Sequence, residues 1–271
     1  MRTRLLPLMA LLPLPFLTMT STASEMSMEL FYLQAAKKGN TASVEMMLHR
    51  KMPVDTKVKE EEKHEEKDHH EEEELAEDAG GATALMLTVY EGRSETAKSL
   101  IKHGANVNAK DDHGATPLIW ATKSGRNDEI KLLLDHKADI NQGDKDGRTP
   151  LMWAAIKGYS HTVEYLLNHG AKQELADKDG NTALLLASAE GRTHAVQLLI
   201  KHGADVEHGD KDKVTPLMKA TENGHKETME MLLRHKANVN ARDAKNRTAL
   251  IRSSESLYSG LSDILQQAGA K

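Results

Sequence analysis

A period of 33 residues constrains the fold of this chain more than any other feature. A Thr-Pro-Leu or Thr-Ala-Leu triplet begins at six positions, each 33 residues after the last: Thr83, Thr116, Thr149, Thr182, Thr215 and Thr248. An aspartate stands five residues before each threonine, and in five cases a glycine stands nine residues after it. Fixed periods of this length are typical of repeat proteins, in which each unit buries its apolar side only against its neighbours.

The conserved spacing gives each position of the period a physical role. The threonine hydroxyl can cap a helix, and the proline that follows in three of the six triplets suits the first helical turn. Asp-x-x-Gly segments such as 111–114 favour a reverse turn, because aspartate binds the backbone ahead of it and glycine tolerates positive φ. Leucine pairs such as Leu166-Leu167 predict a second helix that fills the space between units. Each period therefore predicts a turn, two antiparallel helices and a loop.

These triplets, turns and leucine pairs resemble the ankyrin repeat, clearly over 83–271 and faintly over 29–55. The resemblance implies an all-α solenoid of stacked helix–turn–helix units with short turn fingers, and a concave surface that binds other proteins. The family's usual histidine after Thr-Pro-Leu is absent, so we expect apolar packing instead of its hydrogen-bond network. The residues that replace it are Met86, Ile119, Met152, Leu185, Met218 and Ile251.

The period also divides the chain. We expect a signal peptide over 1–24, an N-terminal capping unit over 25–55, an acidic insertion and first turn over 56–82, five full repeats over 83–247, and a C-terminal capping repeat over 248–271. The insertion is rich in Glu, Lys and His and cannot bury a core. Residues 58–78 are therefore predicted to be dispensable for folding.

The first 24 residues have the three-part pattern of a secretory signal peptide. Arg2 and Arg4 precede an apolar run that ends at Phe16 and is too short to span a bilayer, and a small polar stretch follows it. Cleavage is expected after Ala23 or Ser24. The alternative is an uncleaved anchoring helix. Export predicts a periplasmic or secreted protein without membrane insertion after cleavage, and the lack of cysteine suits an oxidising compartment.

Several classes of function lack their sequence signals. The net charge of −5 argues against a nucleic-acid partner, for which a basic stripe is expected. The chain has no Gly-x-Ser-x-Gly elbow, no phosphate-binding glycine loop and no cysteine nucleophile. We therefore expect neither an enzyme nor a cofactor.

Histidines suggest one alternative to protein binding. One set recurs at a single repeat position, which favours a structural role at a helix end: His103, His136, His169, His202 and His235. His64, His69 and His70 lie among carboxylates and are weak metal candidates. A metal-buffering or metal-sensing protein is the alternative that they support, against a simple solvated acidic loop.

The leading hypothesis is a non-catalytic protein-binding module of the periplasm, a monomer when free, that inhibits or protects against a resident enzyme such as a cell-wall peptidase. An exported effector remains a further alternative. The partner-binding candidates are turn tips and first-helix residues: Tyr90, Asp112, His113, Trp120, Lys123, Lys145, Asp146, Arg148, Trp153, Lys157, Lys178, Asp179 and Asn181.

The two tryptophans occupy equivalent places in consecutive repeats. Either they form a stacked aromatic patch on the concave side, or they pack between first helices. Truncation of Trp153 is expected to weaken binding without unfolding the stack, as for a binding hot spot.

Overall fold

The computed structural model describes residues 28–59, 79–255 and 259–271, which form a row of paired helices. The expected signal peptide and most of the acidic insertion lie outside these residues. The helices are α1 (Met28–Lys38), α2 (Thr41–His49), α3 (Ala84–Glu91), α4 (Ser94–Lys102), α5 (Pro117–Lys123), α6 (Asn127–Asp135), α7 (Pro150–Lys157), α8 (Ser160–Asn168), α9 (Ala183–Ala189), α10 (Thr193–Lys201), α11 (Pro216–Glu222), α12 (Lys226–Arg234), α13 (Ala249–Glu255) and α14 (Ser262–Gln267).

The pairs stack so that helices form two layers. Each odd-numbered inner helix packs on the next odd-numbered helix. Among the outer helices, α2 packs on α4, α4 on α6, α8 on α10 and α10 on α12. Leucines of both layers are buried between units, among them Leu118, Leu133, Leu151 and Leu166. The described residues contain no β-strand, only one isolated bridge, so the expected all-α solenoid is confirmed.

Threonine caps start the inner helices. The Thr83 hydroxyl accepts a hydrogen bond from the Met86 amide, and the Met86 sulfur accepts one from the Thr83 amide at 3.3 Å. Methionine thus takes the place that glutamate or glutamine holds in the usual capping box. The replacement of the family's histidine by apolar packing is confirmed in five units, where the residue is buried: Met86, Ile119, Met152, Leu185 and Met218. In the last unit Ile251 is 39% exposed.

Lysine adopts a glycine conformation at four loop positions. Lys213 has φ 58° in the turn where other repeats carry glycine, and Lys137 and Lys236 have φ 67° and 65° after the outer helices. This left-handed region costs a residue with a Cβ about 1–2 kcal/mol. Lys51 has φ 67° after α2, so the first helix pair has the same loop geometry as the later ones. Packing between repeats therefore outweighs the local preference of lysine.

Arginines tie successive repeats together at the loops between inner and outer helices. Arg126 lies over Gly92, where an added Cβ would be 3.2 Å from the Arg126 Cδ, and its Nε donates to the Tyr90 carbonyl at 3.1 Å. Arg192 lies over Gly158 in the same way and donates to the Ile156 carbonyl at 2.9 Å. The glycines are required both by positive φ and by this close approach.

The residues that precede the acidic run belong to the packed structure. The Val58 amide donates to the Ala82 carbonyl at 2.8 Å, and the Gly81 amide donates to the Val58 carbonyl at 3.0 Å. Val58 also packs against the core. The segment 58–78 that the sequence predicts to be dispensable therefore begins with a residue that pairs with the first turn. Its dispensability stays a prediction, which is better tested from residue 60 onward.

Because this pairing brings both flanks together, the run between them can be tested separately. Excision of 60–78, with a short glycine-serine bridge from Lys59 to Ala79, should leave the melting temperature within a few degrees, measured by circular dichroism. Val58→Asp, which places a charge against the core, should lower it more. A loss of the helical signal on excision would contradict the prediction.

Candidate functional site

Five turn fingers project from the stack, and all five contain the same internal hydrogen bonds. They comprise residues 111–115, 144–148, 177–181, 210–214 and 243–247. In the first, Asp111 Oδ1 accepts hydrogen bonds from the His113 amide at 2.9 Å and the Ala115 amide at 2.8 Å. The aspartates of the other four fingers accept the same pair of amides. The aspartate therefore fixes the shape of each finger.

Backbone hydrogen bonds also connect each finger to the next. The Lys145 amide donates to the His113 carbonyl at 2.8 Å, and the Lys178 amide donates to the Asp146 carbonyl at 2.8 Å. The Lys211 amide continues the series to the Asp179 carbonyl at 3.0 Å. Finger-tip side chains are thereby held in register, one repeat apart.

The second carboxylate oxygen binds a side chain of the inner helix. Trp120 Nε1 donates to Asp111 Oδ2 at 2.8 Å, and Trp153 Nε1 donates to Asp144 Oδ2 at 2.9 Å. Both indoles are half-buried. Each tryptophan thus fastens its own finger to its own helix.

The two indole rings also contact side chains other than the finger aspartates. Tyr90 meets Trp120 edge-to-face with ring centroids 5.5 Å apart. Lys123 Nζ lies 4.2 Å from the centroid of Trp153, and Arg148 Cζ lies 5.5 Å from it. These five residues form what we call the aromatic–cation stripe. In the described part of the chain no ring contact joins the two tryptophans, and each packs against side chains of a neighbouring inner helix, which favours the packing alternative over the stacked patch.

A model of the ankyrin repeat family, described as three copies, matches residues 32–144, 137–210 and 206–271. The chain belongs to the ankyrin-repeat family. No curated protein matches it. Ankyrin repeats are protein–protein interaction modules, so the functional surface of this chain is one that meets another protein.

The predicted binding residues fall into two groups on the ankyrin stack. Those at the tips and on the inner helices that reach solvent are Tyr90, Asp112, His113, Lys145, Asp146, Lys157, Lys178 and Asp179. The half-buried ones are Trp120, Lys123, Arg148, Trp153 and Asn181. Within the second group, Asn181 Nδ2 donates to both Asp177 oxygens at 3.1 Å and Arg148 Nε lies 3.6 Å from Asp177 Oδ2. These two therefore also hold the third finger.

Sequence reasoning missed the strongest polar cluster. Arg252 is only 6% exposed and donates to Asp243 Oδ2 from Nε at 3.1 Å and from Nη2 at 2.7 Å. Its Nη1 pairs with Glu222. Burial raises the pKa of Asp243, but hydrogen bonds from the Arg247 amide and the Arg252 guanidinium outweigh it and lower the pKa to about 2.

A spacing rule in the sequence would have revealed that cluster. The residue nine positions after the finger aspartate reaches back to its carboxylate as Trp120, Trp153, Lys219 or Arg252. Leu186 occupies this place in the fourth repeat, and there Asn181 supplies the donor instead. A polar or indole donor nine residues after the finger aspartate therefore predicts a contact with that aspartate's carboxylate.

Histidines at the ends of the outer helices have a structural role. Nδ1 of His103, His136 and His169 lies 2.7–2.8 Å from the carbonyl oxygen four residues earlier, as the repeat position predicted. His49, the last residue of α2, makes the same contact and was missed because its repeat is faint. The metal candidates His64, His69 and His70 lie outside the described residues, and the described residues hold no group of three or more metal-ligating side chains.

No helix within residues 28–59, 79–255 and 259–271 combines the length and the apolar character that a bilayer crossing needs.

Proposed function

We propose that this chain is a non-catalytic binding module that uses its finger tips and inner helices to hold one partner protein. The observation that carries the proposal is the aromatic–cation stripe on a fixed frame. Tyr90 is 42% exposed although it is a large aromatic residue, and Lys123 sits over an indole beside it in the stack. Tryptophan, tyrosine and arginine side chains are the residues most enriched among the anchors of protein interfaces.

The surroundings of the stripe support recognition of a particular partner. The finger aspartates and inter-finger hydrogen bonds repeat, whereas the tips change from Asp112-His113 in the first finger to Lys-Asp in the next three and Ala244-Lys245 in the last. Because the backbone frame is the same in every finger and the tip residues differ between fingers, the surface presents a specific pattern. A frame that is already ordered loses little conformational entropy when a partner binds.

We further propose that the protein is exported to the periplasm and restrains a resident enzyme there, such as a cell-wall peptidase. The support is the pattern of residues 1–24, together with the absence of catalytic motifs from the sequence. The intact mass of protein isolated from its own cell should correspond to a chain that begins at Ser24 or Glu25. A mass that still includes residues 1–23 would contradict export.

The interaction is tested by capture followed by a defined variant. Mature protein on a support should retain one enzyme from a periplasmic extract, and the purified enzyme should lose activity when it is saturated. Tyr90→Ala leaves the Trp120–Asp111 hydrogen bond intact, so the stack should fold normally while affinity falls about thirtyfold, as for an interface hot spot.

Lys131→Ala, on the solvent side of an outer helix, is the matched control and should bind like wild type. Equal binding by Tyr90→Ala would show that the surface is assigned wrongly. If the enzyme keeps full activity when it is saturated with this protein, the protein is a scaffold and not an inhibitor of that enzyme.

A further inference from the structure

Three exposed lysines form a row across consecutive fingers. Lys145, Lys178 and Lys211 occupy the same finger position, and each is held through its own amide to the finger before it. No ion pair of these three ammonium groups is present in the described chain. The row is therefore a set of three cations whose backbone positions are held in register.

A second set of cations lies beside the row on the inner helices. Lys123 covers the Trp153 ring, and Lys157 is exposed one repeat further on. The chain as a whole has a net charge of −5. The run 60–78 carries twelve acidic residues against two lysines, and the expected signal peptide carries Arg2 and Arg4, so the rest of the mature chain is net positive by three. The negative total therefore resides in the acidic run and not in the repeats.

We propose that the partner presents an extended acidic segment with a carboxylate at every third residue, laid along the Lys145–Lys178–Lys211 row. The inference rests on the proposed binding function and names the chemistry of its partner. Helix packing places neighbouring repeats about 10 Å apart. An extended chain rises about 3.1–3.4 Å per residue, so three residues span one repeat.

The finger tips also favour a protein over a nucleic acid. Asp146, Asp179 and Asp212 directly follow the three lysines, so carboxylates alternate with the ammonium groups along the tips. A phosphate polymer is a continuous line of negative charge and would meet these carboxylates at every repeat. A peptide with spaced acidic residues places uncharged residues opposite them, which avoids like-charge contacts.

Labelled twelve-residue peptides test the spacing directly. One has the repeat Glu-Ser-Pro, whose prolines prevent a helix. The other has the same composition with its glutamates contiguous, and a single-stranded oligonucleotide of equal charge completes the set. Fluorescence anisotropy with the mature full chain should show that the spaced peptide binds best and that its affinity falls as salt rises from 50 to 300 mM, roughly as expected for screened ion pairs.

The lysine row is tested by a triple variant with a matched control. Lys145→Gln, Lys178→Gln and Lys211→Gln together should weaken binding of the spaced peptide about tenfold, as expected for three exposed ion pairs. The control, Lys131→Gln with Lys172→Gln and Lys201→Gln, makes the same change in net charge at exposed positions away from the fingers and should leave affinity unchanged. Thermal melts of both variants should match wild type, which separates loss of binding from loss of fold.

The proposal is overturned by equal binding of the two peptides, by equal loss in the two triple variants, or by tighter binding of the oligonucleotide. Stronger binding of a synthetic peptide of residues 60–78 than of the spaced peptide would assign the row to the acidic run of this chain and also overturn it. If one of these results is found while capture of the partner enzyme still depends on Tyr90, the proposed function stands. Only the proposed chemistry of the partner is then rejected.

Discussion

Replacement of Arg252 by methionine should lower the free energy of unfolding by about 3–5 kcal/mol, the usual cost of removing one partner from a buried ion pair. The guanidinium is the donor that compensates Asp243, whose side chain is almost fully buried and which otherwise keeps only backbone amides and Arg247. Methionine fills a similar volume, so loss of charge pairing dominates the effect. Urea unfolding followed by circular dichroism measures it.

Arg247→Met is the matched control. Arg247 Nε contacts the same carboxylate oxygen at 3.0 Å, but its side chain is partly exposed, so its removal should cost about 1 kcal/mol or less. Because terminal units of a stack have one neighbour only, the Arg252 variant should lose α13 and α14 before the remaining repeats. Equal effects of the two variants would show that burial does not govern this pair.

The ion pair of Asp243 and Arg252 should make the free energy of unfolding depend on pH. The folded pKa of Asp243 lies at about 2, below the ordinary value of 3.8, so its contribution is present above pH 3.8 and is lost as pH falls through 2. The difference in pKa corresponds to about 2 kcal/mol. The gap in stability between wild type and Asp243→Asn should therefore close over this range, and a gap independent of pH would contradict the assignment.

The repeat frame was predictable from the sequence because its determinants are local and recur. Thr116 begins a helix, and Asp111 shapes a turn through contacts within a few residues, so the spacing alone predicted both. Burial of Met152 followed from its place between the capping threonine and the next inner helix. Six repetitions of the same pattern made the solenoid prediction secure.

The contacts of the candidate site could not be predicted in the same way. Tyr90 and Trp120 belong to successive repeats, and their edge-to-face contact depends on rotamers and on the approach of α3 to α5. The burial of Arg252 depends on how the shortened last unit packs, which no other unit of the chain repeats. Sequence spacing therefore identified the positions of the site but not which side chains hold the frame and which remain available to a partner.

Trp153 separates these two roles, and its truncation should unfold part of the stack. Trp153→Ala removes a half-buried ring that Lys123 and Arg148 cover, and it leaves Asp144 Oδ2 without its indole donor. We expect a loss of about 3 kcal/mol, at the low end for tryptophan truncation because the ring is partly exposed. This replaces the expectation from the sequence that the variant would fold normally.

Trp153→Phe is the variant that distinguishes packing from the hydrogen bond. Phenylalanine keeps a ring beneath Lys123 but cannot donate to Asp144, so the loss should be about 1.5 kcal/mol, the low end for a hydrogen bond to a charged group because the site is only half-buried. Hydrogen exchange at residues 144–148 should rise in both variants, and more in Trp153→Ala, because the indole fastens that finger to α7. If Trp153→Ala unfolds at the wild-type urea concentration with unchanged exchange in the finger, the indole is not part of the frame and its exposed edge belongs to the binding surface instead.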